Sequence, residues 1–123
     1  MTEQSRWRPM SADESDLIRA IFTSAGVRGA KALLRDLDGA LVSNETHWIL
    51  DVKTPNSAAA APFPDGPFPA RTFVSNESHY RGEIIIWLSD GHVSGLEFAW
   101  VTDQPPSRWP RPDEIEVHTG DVT

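Results

Sequence analysis

Apolar positions along the chain change spacing near residue 40. Before it, Leu17, Ile18, Ile21 and Phe22 recur at i, i+1, i+4 and i+5, one stripe of a helix. Ser11-Ala12-Asp13-Glu14 reads S-x-x-E, so Ser11 can cap the Glu14 amide while the Glu14 carboxylate returns to the cap's own amide. Gly26 ends that helix, and a second, shorter one fits Ala30–Leu37, with Leu33, Leu34 and Leu37 on one face and Gly39 as its left-handed stop. Helices this short need a surface to pack against.

From Leu41 onward the residues become β-branched and aromatic. Leu41-Val42 and His47–Val52 predict two strands around a polar Ser43–Thr46 turn, with Trp48, Leu50 and Val52 on one face. Residues 54–70 hold five prolines and five alanines, which predicts a long loop. Its Phe63 and Phe68 either pin it to the surface or pack loosely. A strand resumes at Arg71–Ser75.

The sharpest signal is Glu83–Leu88 and Val93–Val101 around Ser89-Asp90-Gly91-His92, where Asp-Gly supplies the positive φ of a two-residue hairpin turn. A regular ladder pairs Leu88 with Val93, Ile86 with Gly95 and Ile84 with Glu97 on one face. Ile85, Trp87, Leu96, Phe98 and Trp100 then fall on the other. Both faces are largely apolar, so helices should cover one and another layer, a loop or a second subunit the other; a homodimer is one such solution. Beyond the hairpin, residues 103–112 carry four prolines and extend, and Asp113–Val117 forms an edge strand or a helical turn.

These elements predict an α+β fold, two N-terminal helices packed on an antiparallel sheet. A polar tail at residues 1–10 precedes a single domain at 11–123. The 123 residues fit one such unit, and five Trp with five Phe supply bulk for its core. No cysteine is present, which excludes disulfides, thiolate metal sites and a cysteine nucleophile, and suits a reducing cytoplasm. No apolar run approaches the ~18 residues of a membrane helix, so no membrane association is expected.

Charge adds a partner clue. The net charge of −7 disfavours nucleic acid, and the division is uneven: −1 over residues 1–62 and −6 over the remainder. The excess is either a solvated surface or a face for a basic protein partner. Asp103, Asp113, Glu114 and Glu116 beside Trp109 are the partner-binding candidates.

The hairpin run Gly82–Phe98, with its D-G-x-apolar-S-x-L-E core, resembles a stretch found in a group of small actinobacterial proteins. The opening Arg8-Pro9-Met10-Ser11-Ala12-Asp13-Glu14 is similar to the start of the same group. The resemblance covers roughly half the chain. It implies an α+β fold and a bacterial cytoplasmic protein but no reaction, and the group is similar in size and acidity to immunity proteins that neutralise toxins by binding.

Candidate chemistry is sparse. His47, His79, His92 and His118 never fall at metal-ligand spacing, no G-x-S-x-G elbow frames a serine, and Gly26-Val27-Arg28-Gly29 lacks the Lys-Ser or Lys-Thr of a phosphate loop. No metal or cofactor is therefore expected. Glu97 stands out, because the regular ladder sets it opposite Ile84, where a bare carboxylate costs several kcal/mol. It is either paired, with Arg71 or Arg81 near, or exposed at the sheet margin; otherwise it is a functional carboxylate, general base or partner anchor. Trp87 and Trp100 are core residues or binding anchors. The reading is a non-enzymatic acidic binding protein, immunity-protein-like, that neutralises or sequesters a protein partner. The alternative is a small enzyme or ligand-binding domain with a pocket under the 54–70 loop and Glu97 with His92 or His79 as acid and base.

Overall fold

The computed structural model describes residues 6–55, 60–76 and 79–119. Ser11 caps helix α1 (Ala12–Ala25) through the Glu14 amide, and the Glu14 carboxylate accepts from the Ser11 amide at 2.9 Å, as the S-x-x-E pattern requires. Gly26 closes the helix in the left-handed conformation, φ 64°. Burial pushes the Glu14 carboxyl up, but two hydrogen bonds from the Arg8 guanidinium and the one from the Ser11 amide outweigh it and hold the group below the usual carboxylate range. The predicted second helix divides into α2 (Ala30–Leu34) and a 3-10 turn over Arg35–Leu37.

Eight antiparallel strands follow or flank these helices: β1 (Arg8–Pro9), β2 (Leu41–Thr46), β3 (Ile49–Lys53), β4 (Gly66–Pro67), β5 (Ala70–Asn76), β6 (His79–Ser89), β7 (His92–Trp100) and β8 (Ile115–Thr119). They form one sheet in the order β1-β2-β3-β7-β6-β5-β8, with β4 pairing a further stretch of β6. The molecule is thus an α+β fold of two N-terminal helices and an antiparallel eight-stranded sheet. One sheet face, here the inner face, carries Val42, Leu50, Val52, Val74, Ile84, Ile86, Leu88, Val93, Leu96 and Phe98, all buried. They share a single apolar cluster with Leu17, Ile18, Ile21 and Phe22 of α1 and Leu33 of α2.

Three sequence expectations change, and a fourth resolves to both of its alternatives. The polar Ser43–Thr46 segment is strand, and the turn falls one step later at His47-Trp48, because the β2 ladder continues past a bulge between Asn44 and Thr46. Residues 8 and 9, expected in the tail, pair with Val42 and Leu41. The 54–70 loop is docked in its second half: the Ala61 amide donates to the Gly91 carbonyl at 2.8 Å, the Phe68 amide to Ile86 at 2.7 Å, and the Phe68 ring meets Phe22 edge-on at 4.9 Å. Residues 56–59 of that loop lie outside the described residues. Asp113–Val117 is both things foreseen, a 3-10 turn at Pro112–Glu114 and then the β8 edge strand.

The largest correction concerns the β6–β7 register. Asp90 and Gly91 do form the tip, with φ of 54° and 78°, and Ser89 pairs His92 while Leu88 pairs Val93. The next pair is Trp87 with Gly95, so Ser94 has no partner. One extra residue reverses the facing of all that follows. Leu96 and Phe98 therefore pair Ile86 and Ile84 on the buried face, and Glu97 pairs Ile85 on the opposite one. The expected Glu97–Ile84 pair does not form, and no carboxylate enters the core there.

Gly91 also sits against the docked loop, where a Cβ would fall 2.5 Å from the Ala61 carbonyl oxygen. Gly91→Val should lower stability by at least ~1 kcal/mol, through strain at positive φ together with loss of that seat. Urea denaturation of the variant checks this, and an unchanged midpoint would reject the turn.

Candidate functional site

Three groupings of polar and aromatic side chains stand out once the strands are in place. The first is the outer sheet face. Trp87 lies across Gly95, where a Cβ would come within 3.3 Å of the Trp87 Cβ and Cδ1, so the glycine makes room for the indole. The indole Nε1–H donates to Glu97 Oε1 at 3.2 Å. Glu97 pairs with Ile49 on one side and Ile85 on the other, giving a row of Ile49, Glu97 and Ile85 across three strands. Asp51 pairs with Gly95 in the next row. Arg71, expected near Glu97, instead forms a bidentate pair with Glu83 and covers the Phe73 ring at 4.9 Å. Between β4 and β5 the regular ladder to β6 is interrupted, and beside it lies a groove of about 490 Å³ lined by Pro67, Phe68, Pro69 and Ala70 on one side and Ile84–Trp87 on the other, with Arg71 and Glu83 in its lining.

The second grouping is the proline-rich tail. Pro106 and Pro110 are buried, and Trp109 is half-buried, edge-on to Trp48 at 5.3 Å and nearly parallel to Phe98 at 6.2 Å. Trp109 thus belongs to the internal aromatic packing. Glu114 is engaged as well: Arg108 grips it through bonds of 2.7 and 2.9 Å, and the Arg111 amide donates to it at 2.8 Å. The Arg108 hydrogen bonds, then the Arg111 amide, hold its carboxyl at about 2. Asp103, Asp113 and Glu116 remain exposed, with Glu116 Oε1 3.0 Å from His118 Nε2. Asp113 joins Asp13 and Asp16 of α1 around a groove of about 520 Å³ that Trp109 and Arg111 also line. The contribution of Asp13 and Asp16 was not legible beforehand, since about a hundred residues separate them from Asp113.

The third grouping was missed altogether. Asp36, fully buried, accepts the Val93 amide at 2.9 Å on one oxygen, and its other oxygen lies 3.0 Å from His92 Nδ1. A carboxylate in that position requires the hydrogen on Nδ1. The pair joins the 3-10 turn after α2 to the start of β7. Five residues along one strand separate His92 from Glu97, about 16 Å, and His79 stands at the far end of β6, so no acid–base pair assembles from these three. His47 lies exposed in the β2–β3 turn. Among the described residues no group of three or more His, Asp or Glu could hold a metal ion, and no helix is long and apolar enough to cross a membrane.

Compared with protein-family models, with curated proteins and with solved structures, the chain matches none. What it does must therefore be argued from these three groupings.

The depressed Glu114 group gives a pH prediction. Its pKa falls from 4.5 when unperturbed to about 2 in the fold, so its stabilisation is complete above pH 4.5 and lost as the pH drops toward 2. Solvent screening reduces the effect to about 1 kcal/mol. Glu114→Gln should flatten that part of the stability–pH curve, as measured by denaturation between pH 2 and 6; a curve parallel to the parent's would refute the role.

Proposed function

We propose that the chain is a non-enzymatic acidic binding protein, immunity-protein-like, that sequesters a basic protein partner. The observation that carries the reading is the groove where Asp13, Asp16 and Asp113 converge beside Trp109, with Arg111 and the Glu114-bound Arg108 also in its lining. Carboxylates from the first helix and from the tail come to one concave place, within a chain of net charge −7. Asp103 and Glu116, both exposed, add to the field around it. Glu114 and Trp109 support the site from within: Glu114 holds Arg108, and Trp109 gives the groove an aromatic wall. The reading takes the helices as the cover of the sheet's inner face, supported by the apolar cluster they share and by the Asp36–Val93 bond. It takes the cytoplasm as the location, supported by the absence of cysteine.

A second reading, a small enzyme or ligand-binding domain, draws support from the apolar groove beside the 67–70 segment. None of Glu97, His79 and His92 lines that groove, which leaves it without an acid–base pair.

The test of the first reading begins with a partner captured from native cells and identified by mass spectrometry. Its association rate should fall steeply with ionic strength, and Asp103, Asp113 and Glu116 reversed together to Lys should slow it at least ~10-fold with folding unaffected. Surface plasmon resonance across a salt series measures both. Association indifferent to salt and to the triple reversal would return the charge to plain solubility.

A further inference from the structure

The acidic groove leaves the outer sheet face unused, although that face exposes large apolar side chains. Ile49 and Trp87 each retain 37% of their surface, Ile85 is half-buried on the same strand as Trp87, and the groove of about 490 Å³ opens beside Trp87. Exposed apolar surface of this kind, rimmed by charge, marks interaction sites.

The charges identify the occupant. Of the cations on this face, Arg71 is paired with Glu83, while Lys53 keeps its charge, lies over the Trp7 ring with Nζ 5.6 Å from the ring centre, and makes no ion pair with Asp51. Glu97 accepts only the Trp87 indole N–H, and among the described residues neither Glu97 nor Asp51 has an ion-pair partner. Their pairing positions place them as diagonal neighbours on adjacent strands, ~7–8 Å apart. Two carboxylates without ion-pair partners therefore lie among the apolar side chains, Glu97 between Ile49 and Ile85 and Asp51 in the next row. A second copy would bring the same two carboxylates against them and be repelled. A basic segment would not.

We propose that this outer face docks an extended basic segment of a partner protein, whose apolar side chain enters the groove over Ile85 beside Trp87 while a neighbouring Lys or Arg pairs with Glu97 and Asp51. In an extended segment, side chains on one face repeat every ~6.8 Å, so alternate residues of the segment can present an apolar and a basic group to this face. The apolar insertion sets residence and the charge pair sets direction. This surface is distinct from the acidic groove on α1 and the tail.

The test is an NMR titration of the whole, ¹⁵N-labelled protein with a capped peptide Lys-Ser-Leu-Ser-Lys, beside Lys-Ser-Ser-Ser-Lys and Glu-Ser-Leu-Ser-Glu as controls. The first peptide should shift the amides of residues 49–51, 85–87 and 95–97 and the Trp87 indole N–H, and bind at least ~5-fold more tightly than either control. Glu97→Gln should weaken it at least ~5-fold while amide dispersion shows the fold intact. Ile85→Ser should do the same through the apolar contact. Equal binding of Lys-Ser-Ser-Ser-Lys would overturn the proposal, as would shifts confined to residues 13, 16 and 113, a result that still favours the acidic groove. No shift at millimolar peptide, or outer-face shifts that depend on protein concentration alone and so report a second copy, would overturn it too.

Discussion

Ser94, the unopposed residue in β7, is the constraint on which the remaining arrangement rests. It lies between Val93, which is buried and held by Asp36, and Gly95, which faces outward beneath Trp87. Strand side chains alternate, so a regular ladder through this point would send Leu96 and Phe98 to the outer face and Glu97 into the core. The extra residue lets both halves of β7 present apolar side chains inward. Phe98 then meets Trp48 and Trp109, which seats the proline-rich tail, and Leu96 pairs Ile86 at the centre of the sheet.

The polar groups are placed by the same logic. Asp36 can be buried because Val93 and His92, just before the bulge, are turned to meet it. Glu14 can be buried because Arg8, carried on β1, closes over it and also reaches Asn44. With these carboxylates spent on structure, the remaining acidity lies at the surface. On one side Asp13, Asp16 and Asp113 converge, and on the outer face Glu97 and Asp51 border apolar surface.

The helices and the hairpin tip were legible because each rests on local chemistry: a capping box, a helical stripe, an Asp-Gly turn. The register of β7 was not, since a bulge depends on long-range burial and Ser94 carries no local mark of it. For the same reason Glu97 looked like a core carboxylate until the ladder was known. The Asp36–His92 pair spans more than fifty residues, and no spacing rule could have joined them. Among the tail candidates, Asp103, Asp113 and Glu116 are exposed as their polarity suggests, whereas Glu114 and Trp109 are drawn inward by Arg108 and by Trp48.

Deleting Ser94 tests the account most directly. If Ser94 is a bulge, its removal joins Val93 to Gly95 in unbroken alternation and keeps every pair on either side, so the shortened protein should fold with its core intact and lose no more than ~1 kcal/mol in urea denaturation. Deleting Leu96 instead, which would turn Glu97 into the core, should abolish cooperative unfolding. Collapse of the Ser94 deletion, with the Leu96 deletion no worse, would contradict the register and with it the outward placement of Glu97.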